Sequence, residues 1–283
     1  FAHLLRDENL KIEKRLFMTA TERRYQGSSE RIVSMDDPQL FGDTFELLSF
    51  KEAIEIKPPI LSDYKVITIG VTTDEIRELV KKNVMVRPNL GRWSKDMETR
   101  MLASAIALRK AMKQEPIRHA VSFHSSIARA KAFAEIQDRL SRNIPECGDL
   151  ETMHISGAMP TSVRAAMLDE FVQSDRGLVT NARCLTEGID VKQIDCVLFA
   201  DPRKSVVDIV QATGRALRPF EGKRFGYVIL PLLLDSQKLK QRIEQSEAYQ
   251  DVLMTLRVLA SNDDGIIDYF RSVSQGVRPK SRD

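Results

Sequence analysis

The chain has 283 residues, 42% of them hydrophobic, enough to bury the cores of about two domains. Its 43 lysines and arginines against 40 acidic residues leave a net charge of +3, so any surface for a polyanion must be a local patch. Cys147, Cys184 and Cys196 have no metal-ligand or C-x-x-C spacing and fit a reducing compartment. With no signal peptide and no long apolar run, the expectation is a cytoplasmic protein that does not engage a membrane.

Residues 1–57 read as the end of one domain. Arg15-Leu16-Phe17-Met18 and Phe45 to Ser49 have the apolar content of strands, and a short helix is expected near Glu52 to Ile56. Pro58-Pro59 breaks that helix and makes a crossing point between domains.

Residues 58–232 alternate strand and helix. Strands are expected at Lys65 to Val71, His119 to Phe123, Thr152 to Ser156, Gly177 to Asn181, Ile194 to Ala200 and Phe225 to Leu230. Between them fall amphipathic helices. One carries Met97, Met101, Ala105 and Leu108, the next Ile127, Ala130, Phe133, Ile136 and Leu140, and a third Val163, Met167 and Phe171. Short apolar runs separated by such helices predict βαβ units, and hence an α/β fold with a doubly wound, mostly parallel sheet. Residues 233–283 read as a helical extension, the start of an accessory domain, with Leu239, Ile243, Val252, Leu256 and Leu259 on its first apolar face.

The helix ending in QATGRALR carries the most chemistry. At about 100° per residue, Gln211, Arg215 and Arg218 share one stripe, while Val206, Ile209, Val210, Thr213 and Leu217 face the other way. Gly214 leaves a gap beside the stripe where a ligand can come close. Arginine forks hold phosphate oxygens bidentately. The same arginines also suit a solvated helix C-terminus, with Pro219 as the stop.

Motifs placed in order along the chain extend this reading. RLFMTAT (15–21), AVSFHSS (120–126), LVTNARCLTEGIDV (178–191) and VDIVQATGRALR (207–218) resemble motifs III, IV, V and VI of the superfamily 2 helicases and translocases. The resemblance covers roughly residues 1–232. It implies a second RecA-like domain at 58–232, preceded by the remnant of a first one and followed by an accessory module. The implied activity is that of the C-terminal motor domain of an ATP-dependent helicase or translocase using ATP and Mg²⁺.

By that resemblance Arg215 and Arg218 are arginine fingers, with Gln211 orienting the γ-phosphate or the attacking water. Gly188, Asp190 and Gly214 border the nucleotide. Thr180, Asn181, Ser125, Ser126 and Gly157 are expected to contact the nucleic-acid backbone, with His154 a weaker candidate beside them. Thr19, Ala20 and Thr21 are expected to couple the nucleotide site to strand handling. Each has a plainer reading. Ser125 and Ser126 head a helix and can act as N-caps; Gly188 and Asp190 can make a turn and a cap; Thr19 to Thr21 can be a buried turn. His124 is expected to pack.

Gln211-Ala212 stands where RNA helicases of the DEAD-box group usually have His-Arg, and Glu22 follows TAT where many relatives have proline. Together with the segments 45–71 and 201–210, this resembles DNA-directed relatives, among them the motor portions of restriction enzymes. DNA is the expected partner, RNA the less favoured one. No GxxxxGK[ST] and no Asp-Glu-x-His is present. The expectation is a fragment whose first RecA-like domain, in the same parent chain, completes the ATP and Mg²⁺ site, and which alone does not hydrolyse ATP. A noncatalytic nucleic-acid-binding or scaffold module on the same fold is the alternative.

Overall fold

The computed structural model describes residues 5, 8–19, 33–81, 95–144, 148–181, 191–201, 205–235, 246–261 and 263. They fall into two compact units, Phe1–Ser49 and Phe50–Asp283.

In the first unit the described regular element is the short helix α1 (Pro38–Phe41), started by Asp37, whose carboxylate accepts the Gln39 N–H at 2.9 Å. Phe17 packs edge-on against Phe41 with ring centroids 4.9 Å apart. The strands expected at Arg15 to Met18 and Phe45 to Ser49 are not formed. A strand needs a neighbour to take its N–H and C=O groups, and among the described residues none runs alongside. Leu16, Met18, Phe45, Leu47 and Leu48 are exposed as a result.

The second unit opens with α2 (Phe50–Glu55), followed by β1 (Tyr64–Thr72), α3 (Thr73–Lys81), α4 (Lys95–Gln114) and β2 (His119–Phe123). Then come α5 (Ile127–Asn143), β3 (Glu151–Ile155), α6 (Thr161–Gln173), β4 (Gly177–Asn181) and β5 (Cys196–Phe199). α7 (Val206–Ala216), β6 (Gly226–Leu234) and α8 (Glu247–Ser261) complete it. The six strands form one parallel sheet in the order β1-β6-β5-β2-β4-β3, which is the expected doubly wound α/β architecture.

Strand alternation divides the core between the two faces. Cys196 and Leu198 of β5 pack with Ile76 of α3, Leu108 of α4 and Phe133 of α5. Val197 and Phe199 pack on the opposite face with Phe171 of α6, Ile209 of α7 and Val252 of α8. β2, β4 and β5 are buried on both sides, which is why they read as unbroken apolar runs. Fully burying a Phe or Leu side chain is worth about 1.5–3 kcal/mol, so truncating Phe133 would open the first face.

Two expected elements end differently. The apolar run at 194–200 pairs only from Cys196 to Phe199, because Asp195 turns its carboxylate to the start of β2 and Asp201 turns its own to the end of β2. β6 runs to Leu234 through Pro231, which pairs with Ile69 of β1. Along β6 the N–H groups alternate between neighbours: Gly226 donates to Asp63 O ahead of β1, and Tyr227 to Asp195 O ahead of β5. The side from which proline's N–H is missing at position 231 is therefore the β5 side, where β5 has already ended. α8 packs on α7 and β6 and so belongs to this compact unit, which extends past residue 232. Leu239 and Ile243 lie outside the described residues. None of the described helices is long and apolar enough to cross a membrane.

Candidate nucleotide and nucleic-acid site

In an open parallel sheet, ligands gather where the strands end. Three loops meet at that edge here. His124 N–H donates to Asn181 O at 2.8 Å, tying the end of β2 to the end of β4. Ser125 N–H donates to Asp201 Oδ2 at 2.7 Å, tying it to the end of β5. The buried Asp201 also pairs with the guanidinium of Arg129, which donates to Ser125 Oγ at 3.2 Å. Ser126 caps α5 by accepting the Arg129 N–H at 3.3 Å.

The expected backbone-contact residues are thus brought to one edge, but at different depths. Ser125, Ser126 and Gly157 are exposed. Thr180 and Asn181 are fully buried, and Thr180 Oγ1 lies 3.1 Å from His154 Nδ1. Burial beside Lys131 holds the His154 imidazole below its usual range, hence neutral near pH 7. His124 packs as expected: its ring centroid lies 4.7 Å from that of Phe133, and Nε2 is 2.9 Å from Ser122 Oγ.

α7 runs from the end of β5 back to the start of β6. Ser205 caps it by accepting the Asp208 N–H, and Ile209, Val210, Ala212, Thr213 and Ala216 are buried beneath it. Gln211, Gly214 and Arg215 form a half-buried stripe on the outward side. A Cβ added to Gly214 would meet nothing within 4 Å. Gly226 is the opposite case: a Cβ there would fall 2.5 Å from Ala216 O, so only glycine lets the helix end lie against β6.

The helix stops at Ala216 rather than at Arg218. Leu217 is its C-cap, and the Arg218 N–H reaches Arg215 O at 3.4 Å. Arg218 therefore stands on a turn, two residues past the helix rather than on its face. That turn lies at the opposite end of α7 from Ser125 and Asn181, so the structure separates the arginine pair from the strand-end residues. Ala20, Thr21, Gly188 and Asp190 lie outside the described residues; Thr19, in the first unit, is exposed.

Several polar anchors had no local signal in the sequence. Ser62 N–H donates to Leu217 O at 2.6 Å, so the segment leading into β1 is fastened between Arg215 and Arg218. Lys223 Nζ donates to Ile194 O at 2.7 Å and Arg218 O at 2.9 Å. Asp195 accepts the N–H groups of Arg118 and His119 at 2.9 and 3.0 Å. Burial pushes the Asp195 carboxyl up to about 6 and the Lys223 ammonium down to about 8, opposed in both cases by their mutual attraction. Buried Arg109 fastens α4 to α5 through Gln137 Oε1 at 2.7 Å and Ser141 Oγ at 2.7 Å, and reaches Gly148 O at 2.9 Å.

A six-stranded parallel sheet, an uncapped glycine in a cationic helix stripe and a serine loop clamped at the strand ends are now joined by a family match. Residues 103–219 match the model described as the helicase conserved C-terminal domain. This span is similar to the C-terminal domain of helicases. The chain is 24% identical over 283 residues to "Probable helicase A859L" of African swine fever virus (isolate Pig/Kenya/KEN-50/1950), covering 99% of this chain and 29% of that protein. It is 26% identical over 132 residues to the mitochondrial ATP-dependent RNA helicase MSS116 of Lodderomyces elongisporus, covering 46% of this chain and 18% of that one. Among solved structures, the ATP-dependent Type ISP restriction-modification enzyme LlaBIII bound to DNA is 26% identical, with a TM-score of 0.79, and is matched over 99% of this chain and 20% of its own.

The helicase match begins within α4 and ends at Pro219, just after α7. β1, β6 and α8 lie outside it, yet β1 and β6 extend the same sheet and α8 packs upon it. Arg100 of α4 reaches across the strand ends to α8, bonding Glu247 at 2.6 Å and Asp251 at 3.5 Å. The span that matches the helicase model is thus embedded in a larger folded unit.

Proposed function

We propose that this chain is the second RecA-like half of an ATP-dependent DNA helicase or translocase, presenting its arginines to a nucleotide seated on another lobe. The observation that carries the reading is the open flank at Gly214 between Gln211 and Arg215. A mid-helix glycine costs about 1 kcal/mol relative to alanine, and no neighbour among the described residues requires it. The close approach of another surface or ligand would. A triphosphate fits the adjoining guanidinium chemistry.

Phosphoryl transfer depends on positioning and on neutralising charge at the phosphate oxygens. Arg215 and Arg218 supply that charge from across a cleft, Gln211 orients the γ-phosphate or water, and Gly188 and Asp190 border the nucleotide. Among the described residues no group of three or more His, Cys, Asp or Glu side chains can hold a metal ion. By the family resemblance Mg²⁺ is assigned to the first RecA-like domain, of which residues 1–57 would be the end, with Thr19 to Thr21 coupling the lobes. This chain alone is expected not to hydrolyse ATP, since no phosphate loop occurs in it.

The track is proposed to run over the strand ends. Ser125, Ser126 and Gly157 would meet the phosphates directly, with Thr180 and Asn181 supporting the edge from beneath. DNA is preferred because the DNA-bound Type ISP enzyme matches nearly the whole chain, whereas the RNA helicase matches 46% of it. The test is phosphate release by the intact motor on DNA and on RNA, with Arg215→Ala and Arg218→Ala. Both variants should fall below about a tenth of wild-type turnover. Turnover above that in both would overturn the nucleotide reading, and stimulation by RNA alone would replace the track.

A further inference from the structure

We infer that Lys223 is a positioning residue for Arg218, holding the backbone from which that guanidinium reaches across the cleft. The inference rests on the reading of Arg218 as a phosphate-facing cation. α7 has ended by Ala216, so Arg218 lacks the ladder that fixes a helical residue, and its own N–H bond is long at 3.4 Å. Its carbonyl is instead taken by the Lys223 ammonium at 2.9 Å.

The other donors of that ammonium fix where it stands. One goes to Ile194 O at 2.7 Å, at the foot of β5. Beside it lies the Asp195 carboxylate, whose oxygens are bound to two backbone N–H groups at the foot of β2. An ammonium has three donors and no acceptor; two are taken here by the Ile194 and Arg218 carbonyls, and the Asp195 carboxylate attracts it from farther off. The chain of contacts therefore runs from the central strands, through one side chain, to the residue that carries the second arginine. Ser62 N–H grips the neighbouring Leu217 carbonyl from the other side. The turn is thus held by both the sheet and the segment entering β1.

A lysine near a helix end also satisfies carbonyls for stability alone. The two roles separate in a double-mutant cycle, because a residue acting through Arg218 has nothing to position once Arg218 is gone. The experiment measures steady-state ATPase of the intact motor at saturating DNA for K223M, K223R, R218A and R218A/K223M, with thermal melting of each. K223M is expected to lower kcat by about 10²-fold with the KM for ATP little changed, K223R to recover most of that loss, and the double variant to be no slower than R218A. Wild-type kcat in K223M, or losses that multiply in the double variant, would overturn the inference while leaving the nucleotide reading intact. Wild-type turnover in R218A would overturn both. Should K223M fail to fold, K223Q, which keeps an N–H for the Arg218 carbonyl, enters the same cycle.

Discussion

The Asp201 carboxylate accepts the Ser125 N–H at 2.7 Å, so the last turn of β5 sets the first turn out of β2, 76 residues earlier in the chain. The same carboxylate pairs with Arg129 one turn into α5, where both side chains are nearly excluded from water. Asp201→Ala would strand that guanidinium. Breaking one side of a buried pair costs about 3–5 kcal/mol. Urea denaturation should show a loss of that order. If Ser125 and Ser126 grip a nucleic-acid backbone, affinity for DNA should fall in the same variant under conditions where it remains folded.

Gly214→Ala separates stability from activity. With nothing within 4 Å of the new methyl group, the variant should gain about 1 kcal/mol in unfolding experiments. In the intact motor the same methyl group would stand in the proposed nucleotide cleft and lower ATP turnover. A more stable protein with unchanged turnover would mean that nothing docks beside Arg215.

Asp195 gives a pH dependence with a defined sign. Its pKa rises on folding from the ordinary 3.8 to about 6, chiefly by burial. The folded state then binds a proton more tightly than the unfolded chain, so this contribution is full below about 4 and is lost as pH rises through about 6. Lys223 behaves in the opposite sense: its pKa falls to about 8, and its contribution is present above about 10.5 and lost as pH falls through about 8. The melting temperature of wild type minus that of Asp195→Asn should therefore be largest near pH 4 and shrink towards pH 7. A difference that is flat across that interval would refute the assignment.

Arg109→Met tests the clamp between α4 and α5. The methionine fills much of the volume but leaves Gln137 Oε1 and Gly148 O without their donor. Leaving the buried Gln137 acceptor unmet costs about 1–3 kcal/mol. The variant should unfold at lower denaturant while the sheet's circular dichroism stays native below the transition.

Periodicity made the second unit legible because its signals are local. The stripe from Met101 to Leu108 and the unbroken apolar run of β5 each announce burial within a dozen residues, and the chain's own neighbours supply the cover. Arg15 to Met18 and Phe45 to Ser49 announced themselves in the same way and form no strand, since pairing is a property of two segments. The arginine stripe was visible as spacing, but the break after Ala216 was not, because it depends on Gly226, Ser62 and Lys223 packing where the helix ends. Asp201 with Arg129 and Asp195 with Lys223 were illegible for a related reason. Their partners are chosen by which strands lie side by side, and an isolated Asp or Lys in a loop carries no mark of that.

Beyond its last pairing with β5, β6 continues as an overhang that, among the described residues, pairs with β1 alone. An overhang of this kind is a template onto which an extended segment from a second molecule can zip. Pro231 withholds a hydrogen on the other flank, and α8 lies across the neighbouring rim. The molecule thereby protects itself against self-templated fibre growth at a place where its sheet is deliberately uneven, without spending a charged side chain on the task.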